Sequence, residues 1–317
     1  MEKRRLGKTD LHVAPIAFGC NVFGWTADEK TSFQLLDAFT HEGFNFLDTA
    51  DIYCKWATGE GGESETIIGK WTKQKKNRKD VIIATKAGMI DAVGGINISK
   101  KHILKAAEDS LRRLQTDYID LYQTHKDDVK IPVEETLEAH AQLIKEGKVR
   151  WIGASNFSPE RLQAALDASK KYNLPRYETL QPLYNLYDRE IVEKELEKIC
   201  LDNQISIINF YSLAAGFFSG KYRSEADLGK SVRGARVKQY VNERGFKILN
   251  ALDKVAAQYK TNTGTVAVAW LLARPSVGAP IASATSLSQL KDLLSAVDLK
   301  LSADTIQYLN EESAWQQ

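Results

Sequence analysis

The stretch Phe44-Asn45-Phe46-Leu47-Asp48-Thr49-Ala50-Asp51-Ile52-Tyr53 starts as a short apolar strand, ends in an acid, and reaches a tyrosine five residues later. The same theme returns three times downstream. Val81-Ile82-Ile83-Ala84-Thr85 leads into Lys86, Ile119-Asp120-Leu121-Tyr122-Gln123-Thr124 into His125, and Trp151-Ile152-Gly153-Ala154 into Ser155 and Asn156. If these runs are neighbouring parallel strands, their ends converge on one spot, which is the candidate active site.

Around this core the chain alternates regularly. Residues 1–15 read as a hairpin, with a Gly7-Lys8-Thr9-Asp10 turn between Arg4-Arg5-Leu6 and Leu11-His12-Val13. Ile16-Ala17-Phe18-Gly19 suits a buried strand. Helices are expected at about 29–42 with Gly43 as a stop, at Glu63–Trp71 after a glycine-rich entry, and from a Ser99 cap to Arg113. Strands at Tyr118–Gln123, Val149–Gly153, Glu178–Leu180 and Ile205–Tyr211 alternate with helices at Val133–Glu146, from Ser158-Pro159 to Tyr172, and at Arg189–Asn203. An irregular segment, about 213–240, interrupts the rhythm. Helices at about 245–259 and 264–273 follow. The last strand is Pro280–Ser283, and helices at Leu287–Ala296 and from Ser302 to about 313 end the chain.

That gives eight strand–helix steps after the hairpin. The strands are runs of Ile, Val, Leu, Phe and Ala without strict alternation, as in parallel strands covered on both faces. At 317 residues, eight such steps predict one domain over 1–317: a closed (β/α)8 TIM barrel with an N-terminal β-hairpin and extra C-terminal helices. An open doubly wound sheet is the rival. Against it, Gly19 and Gly24 are too far apart for a dinucleotide-binding Gly-x-Gly-x-x-Gly turn.

Composition narrows the function. A formal net charge of +2 gives no reason to expect nucleic acid or an anionic membrane as partner. Three scattered cysteines, Cys20, Cys54 and Cys200, form neither a disulfide framework nor a zinc site, so no metal is expected and a reducing, cytoplasmic location fits. The charged N-terminus lacks the apolar core of a secretory signal, and no window approaches the length of a membrane span.

Asp48, Lys86, His125 and Ser155-Asn156 fall at the C-terminal ends of successive strands, where barrel enzymes keep their active sites. Taken singly, such an Asp caps a helix, such a Lys faces solvent and such a His is structural. Together with Tyr53 they make a carbonyl-reducing set. Tyr53 would donate a proton. Lys86 would lower its pKa from the ordinary value of about 10, Asp48 would steady the lysine, and His125 would orient the substrate oxygen. No side chain supplies hydride, so a nicotinamide cofactor is implied. A barrel isomerase or aldolase using Lys86 as a Schiff base is a further alternative.

These residues resemble the catalytic tetrad of the aldo-keto reductases. So do the words Phe46–Tyr53, Gly62-Glu63-Ser64-Glu65 with Gly69, Thr85-Lys86, Leu114-x-Thr116-Asp117-Tyr118-Ile119-Asp120-Leu121, Gly147–Phe157 and Gln181-Pro182-Leu183-Tyr184-Asn185. The correspondence runs from about residue 3 to 313 and is with the bacterial and potassium-channel-β-subunit-like branch. It implies that Ser155, Asn156 and Gln181 hold the nicotinamide carboxamide. It also implies that Phe210 stacks on the ring, that Tyr211, Ser212, Leu213 and Gly216 belong to the pyrophosphate loop, and that Lys221 and Arg233 meet phosphate. In the last loop Ser283, Gln289 and Asp292 fall at adenosine positions, with Leu293 where the family often has Asn. The usual basic ligand for a 2′-phosphate is absent, although Ser283, Thr285 and Ser286 offer hydroxyls. NADP(H) is the expected cofactor and NAD(H) the alternative. Phe23, Trp25, Cys54 and Trp56 are the candidate substrate walls. The expected activity is reduction of aldehydes or ketones to alcohols by a monomer or homo-oligomer. The alternative is a cofactor-binding, redox-sensing regulatory subunit with little turnover.

Overall fold

The computed structural model describes residues 1–90 and 95–315. Strands β1 (Arg4–Arg5) and β2 (His12–Val13) pair as an antiparallel hairpin. Eight further strands follow: β3 (Ala17–Gly19), β4 (Phe46–Asp48), β5 (Ile82–Ala87), β6 (Ile119–Thr124), β7 (Val149–Ser155), β8 (Thr179–Gln181), β9 (Ser206–Ile207) and β10 (Ile281–Ala282). They form one parallel sheet in the order β10-β3-β4-β5-β6-β7-β8-β9. The ends of that sheet meet. Ile207 N–H donates to Ser276 O (2.9 Å), Gly278 N–H to Ile207 O (2.8 Å) and Ile281 N–H to Asn209 O (2.9 Å). The result is the (β/α)8 barrel that the alternation predicts.

The expected strand at Ile205–Tyr211 shrinks to β9 because the chain there divides its bonding between neighbours. Ile208 N–H pairs with Leu180 O and Ile207 N–H with Ser276 O, and only two residues keep regular strand geometry.

Helices fall close to their sequence signals. Ser158 caps Pro159–Tyr172 by accepting from Arg161 N–H, and Ser302 caps Ala303–Glu312 in the same way. Ser99 stands at the start of Lys100–Leu114, but its hydroxyl donates to Asn97 Oδ1 at 2.7 Å and makes no cap bond. That helix buries Ile103, Ala107, Leu111 and Leu114, the face its spacing predicts. The irregular stretch 213–240 consists of 3₁₀ turns and one short helix, Gly234–Val237.

Alternation along each strand sorts the core into two layers. Phe18, Leu47, Ile83 and Tyr122 pack outward with the helices. Ala17, Phe46, Ala84 and Leu121 point inward, onto a plug made by Leu6, Leu11 and Val13 of the hairpin. Arg4 locks that plug, its guanidinium donating to Val277 O and Leu272 O at 3.0 Å. Two residues further along the inward face come Asp48, Lys86 and Gln123. The barrel interior is therefore apolar at the hairpin end and ionic at the other. No helix among the described residues is long and apolar enough to cross a membrane.

Candidate active site

The registry of the sheet aligns the polar layer. Gly19 pairs with Asp48, Lys86 with Gln123, and Ser155 with Gln181. These residues ring the C-terminal mouth. Asp48, Lys86 and Gln123 are buried, and a buried charge is tolerable only where it is paired and hydrogen-bonded.

Lys86 meets that demand with all three of its ammonium hydrogens. Nζ donates to Asp48 Oδ2 (2.8 Å), Thr49 O (2.7 Å) and the Tyr53 hydroxyl (2.9 Å). Burial pulls the ammonium down, yet Asp48 and the Tyr53 oxygen together raise it above its ordinary value, so it stays cationic. A cationic amine with every hydrogen engaged is not a free nucleophile, which argues against Schiff-base chemistry.

Tyr53 departs from its expected tuning. Burial pushes its hydroxyl up to about 12; Lys86 pulls it down and Asp48 pushes it further up. The expected net lowering by Lys86 is therefore absent, because desolvation outweighs the ammonium. The hydroxyl is protonated at neutral pH, the form a proton donor requires. His125 sits beside it, with ring centroids 6.1 Å apart. Burial, and then Lys86, hold the imidazole well below its ordinary range, so it is neutral and has one N–H to donate. Its Nδ1 is buried with no partner.

A cavity of about 420 Å³ opens above this group. Of the residues singled out from sequence, its wall includes Asp48, Tyr53, His125, Ser155, Asn156, Gln181, Phe210, Tyr211, Ser212, Leu213, Gly216, Arg233, Ser283 and Trp56. Lys86 lies beneath it. Asn156 adopts a left-handed φ of 54° and donates to His125 O (2.9 Å) and Ser155 Oγ (3.0 Å), which leaves its carbonyl oxygen available. Gln181 differs from expectation: its amide is turned inward, donating to Asp48 Oδ1 (2.9 Å) and Gln123 Oε1 (3.2 Å). Gly19 keeps the floor open, since a Cβ there would lie 2.5 Å from Ser283 Oγ. Ser283 itself donates to Asn21 Oδ1 at 2.8 Å.

Several expected residues lie elsewhere. Phe23 is fully buried and stacks on Phe18. Cys54 points away from the cavity, its Sγ donating to Phe23 O at 2.8 Å, and burial, then Glu63, push the thiol up to about 12. Both belong to the scaffold beneath the loops. Trp25 packs edge-on against Trp56 at 5.5 Å without lining the wall. Lys221 is exposed, with its ammonium 5.0 Å from the Tyr222 ring. Gln289 accepts from Thr285 N–H at 2.9 Å, and Asp292 is exposed on the helix Leu287–Leu294; Leu293 is buried.

Sequence reasoning overlooked Gln123, Lys126 and Arg236. Gln123 was findable, because it lies two residues before His125 on the same strand face. Arg236 stands three residues after Arg233, one helical turn on, in a segment without recognisable periodicity. Both arginines line the cavity. Arg233 Nη2 is buried with no partner, and burial, then Arg236, lower its guanidinium pKa. Among the described residues no cluster of His, Cys, Asp or Glu could hold a metal ion.

A sequence profile described as "Aldo/keto reductase family" matches residues 15–313. The chain is similar to aldo-keto reductase YhdN of Bacillus subtilis, 33% identical over 92% of this chain and 88% of that one. It is 29% identical to versiconal hemiacetal acetate reductase of Aspergillus parasiticus, over 98% of this chain and 96% of that one. It is also 29% identical to a probable voltage-gated potassium channel subunit beta of Arabidopsis thaliana, over 94% of this chain and 92% of that one.

Proposed function

The chain belongs to the aldo/keto reductase family, and we propose that it is an NAD(P)H-dependent oxidoreductase, acting as one domain over 1–317 in the cytoplasm, that reduces an aldehyde or ketone to an alcohol with Tyr53 as general acid. One observation carries this reading: a protonated phenol held 2.9 Å from a lysine that is itself fixed by a buried carboxylate, beneath an open cavity.

The residues fit a nicotinamide nucleotide. The unengaged carbonyl of Asn156 beside Ser155 suits a carboxamide. The Phe210 ring suits the face of a flat heterocycle, and the unpartnered Arg233 Nη2 suits a phosphate oxygen. Gln181 would have to leave Asp48, or share it, to help hold the carboxamide. When bound, the nucleotide supplies the hydride. With Ser283, Gln289 and Asp292 at the adenosine positions, none of them basic, NADP(H) rests on the family and NAD(H) is the alternative.

The chain's own residues do the rest. The neutral imidazole of His125 donates a hydrogen bond to the substrate oxygen and orients the carbonyl. Tyr53 donates its proton to the same oxygen as that oxygen gains charge. Lys86 lies 2.9 Å from the tyrosine oxygen, so the phenolate left behind faces an ammonium cation and not a dry cavity. The raised pKa of the free tyrosine is thus compensated where charge develops.

The test is oxidation of NADPH and of NADH with benzaldehyde, in the wild type and in Tyr53→Phe. Removing the hydroxyl is expected to lower kcat by about 10²–10⁴-fold, with nucleotide affinity kept. The potassium-channel-β-like relative favours a second reading, a redox-sensing subunit. Tight nucleotide binding with no turnover in either protein, across a panel of aldehydes, would select it.

A further inference from the structure

The unpaired charges at the cavity mouth have one sign. Lys126, Arg233 and Arg236 line the wall, and among the described residues none of them forms an ion pair. The carboxylate in that wall, Asp48, is already taken by Lys86. Of the unpartnered buried nitrogens there, Trp56 Nε1 and Arg233 Nη2 are donors, and His125 Nδ1 is the third. A cavity rich in donors and cations awaits acceptors.

Two anionic demands can be separated by position. Arg233 sits against Trp25, its guanidinium carbon 5.5 Å from that ring, and is half-buried. Arg236 is exposed and bridges two aromatics, 5.5 Å over Trp56 and 6.0 Å over Trp25. Among the described residues its guanidinium makes one polar contact, Nη1 to the Tyr211 hydroxyl at 3.5 Å. Trp56 in turn packs against Tyr53 at 6.0 Å. Arg236 is therefore joined through one aromatic ring to the proton donor. The two rings seat the Arg236 cation beside the cavity, and a guanidinium held by cation–π contacts still has N–H groups with which to meet a carboxylate.

We propose that Arg236, seated on Trp56 and Trp25, is a specificity-determining residue that selects carbonyl substrates carrying a carboxylate. This rests on the reductase reading given above and names the substrate class for that same site. The carbonyl lies at Tyr53 and His125, the hydrocarbon body passes along Trp56, and the carboxylate reaches Arg236 with the Trp56 N–H as a second donor.

The experiment pairs 4-carboxybenzaldehyde with its methyl ester, one methyl larger and without the charge, on the wild type and on Arg236→Gln. Reduction is followed by nucleotide oxidation, and binding by calorimetry with the oxidised nucleotide saturating. In the wild type the acid is expected to have a kcat/KM and an affinity about tenfold or more above those of the ester, the worth of one charge-assisted pair. In Arg236→Gln the two compounds should converge, with the ester and the nucleotide affinity within about twofold of wild type. Because Arg236 is exposed, the variant should melt as the wild type does. Equal losses for acid and ester would overturn the proposal in favour of simple packing. An unchanged acid preference with weakened nucleotide binding would overturn it in favour of the cofactor's phosphates. Preferential binding of the acid with no reduction of either compound would uphold the anion subsite and defeat the reductase reading. Reduction of both at equal efficiency would do the reverse.

Discussion

Lys86 is a case where a side chain's worth depends on what stays behind when it leaves. Its ammonium is enclosed by Asp48, Thr49 and Tyr53 and both members of the ion pair are buried. Substituting Lys86→Met strands the Asp48 carboxylate, which is expected to cost about 3–5 kcal/mol of stability and to abolish turnover. Adding Asp48→Asn removes the stranded charge while leaving an oxygen to accept from Gln181. The double variant should therefore recover most of the stability in urea unfolding and none of the activity. If it proves as unstable as the single variant, the damage comes from packing, and the pair is not an electrostatic unit. The same logic explains why the sequence misjudges Tyr53. An ammonium nearby is visible as Thr85-Lys86, but the depth at which the phenol lies is not, and depth is the larger influence on its pKa.

Among the elements, the loop after β9 carries the backbone strain. Tyr211, Ala214, Ala215 and Gly216 all have positive φ, at 56°, 48°, 57° and 101°. For residues with a Cβ this costs about 1–2 kcal/mol each, and such strain gathers where backbone is shaped for a ligand. Two substitutions separate conformation from contact. A Cβ at Gly216 would meet nothing within 4 Å, so any loss in Gly216→Ala is a pure backbone effect, expected at about 1 kcal/mol or more, together with weaker nucleotide binding. Ala215→Gly relieves strain at the neighbouring position and should leave stability level or higher. If Gly216→Ala is as stable as wild type and binds nucleotide equally well, the loop is not held in this shape for a ligand. This loop also marks the limit of what could be read from the chain. The strands were legible as short apolar runs, and Asp48, Lys86 and His125 as the polar residues that end three of them. The 213–240 segment has no period, so neither its left-handed turns nor Arg236 could be placed. Phe23 and Cys54 were misassigned because proximity in sequence to a site residue says nothing about which way a loop side chain points. The Cys54 backbone is itself left-handed, with φ 76°, and turns its thiol toward Phe23.

For the whole molecule, most buried charge is paired. Asp48 is paired with Lys86, Asp120 with Arg78 and Arg150, and Glu65 with Arg113. Asp51, in the same loop as Tyr53, forms no ion pair among the described residues, and its Oδ1 is buried without a partner. Burial first, and then the neighbouring Glu65, push its carboxyl up to about 8, with Arg113 pulling the other way. In the unfolded chain the same group titrates near an ordinary 3.9 or so. Between those values the folded state holds a proton that the unfolded state has released, so this group lowers stability steadily as pH rises from about 4 to about 8, and the loss is complete above that window. Asp51→Asn keeps the shape and removes the titration. Its melting temperature should exceed that of wild type by a few degrees, on the order expected for a chain of this size, near pH 9, and by distinctly less near pH 5. Thermal melts of both proteins at the two pH values measure the difference. An equal gain at both would mean that Asp51 shares its charge with solvent or with Arg113 in the folded state, and that the acid beside the proton donor is ionised throughout the working range.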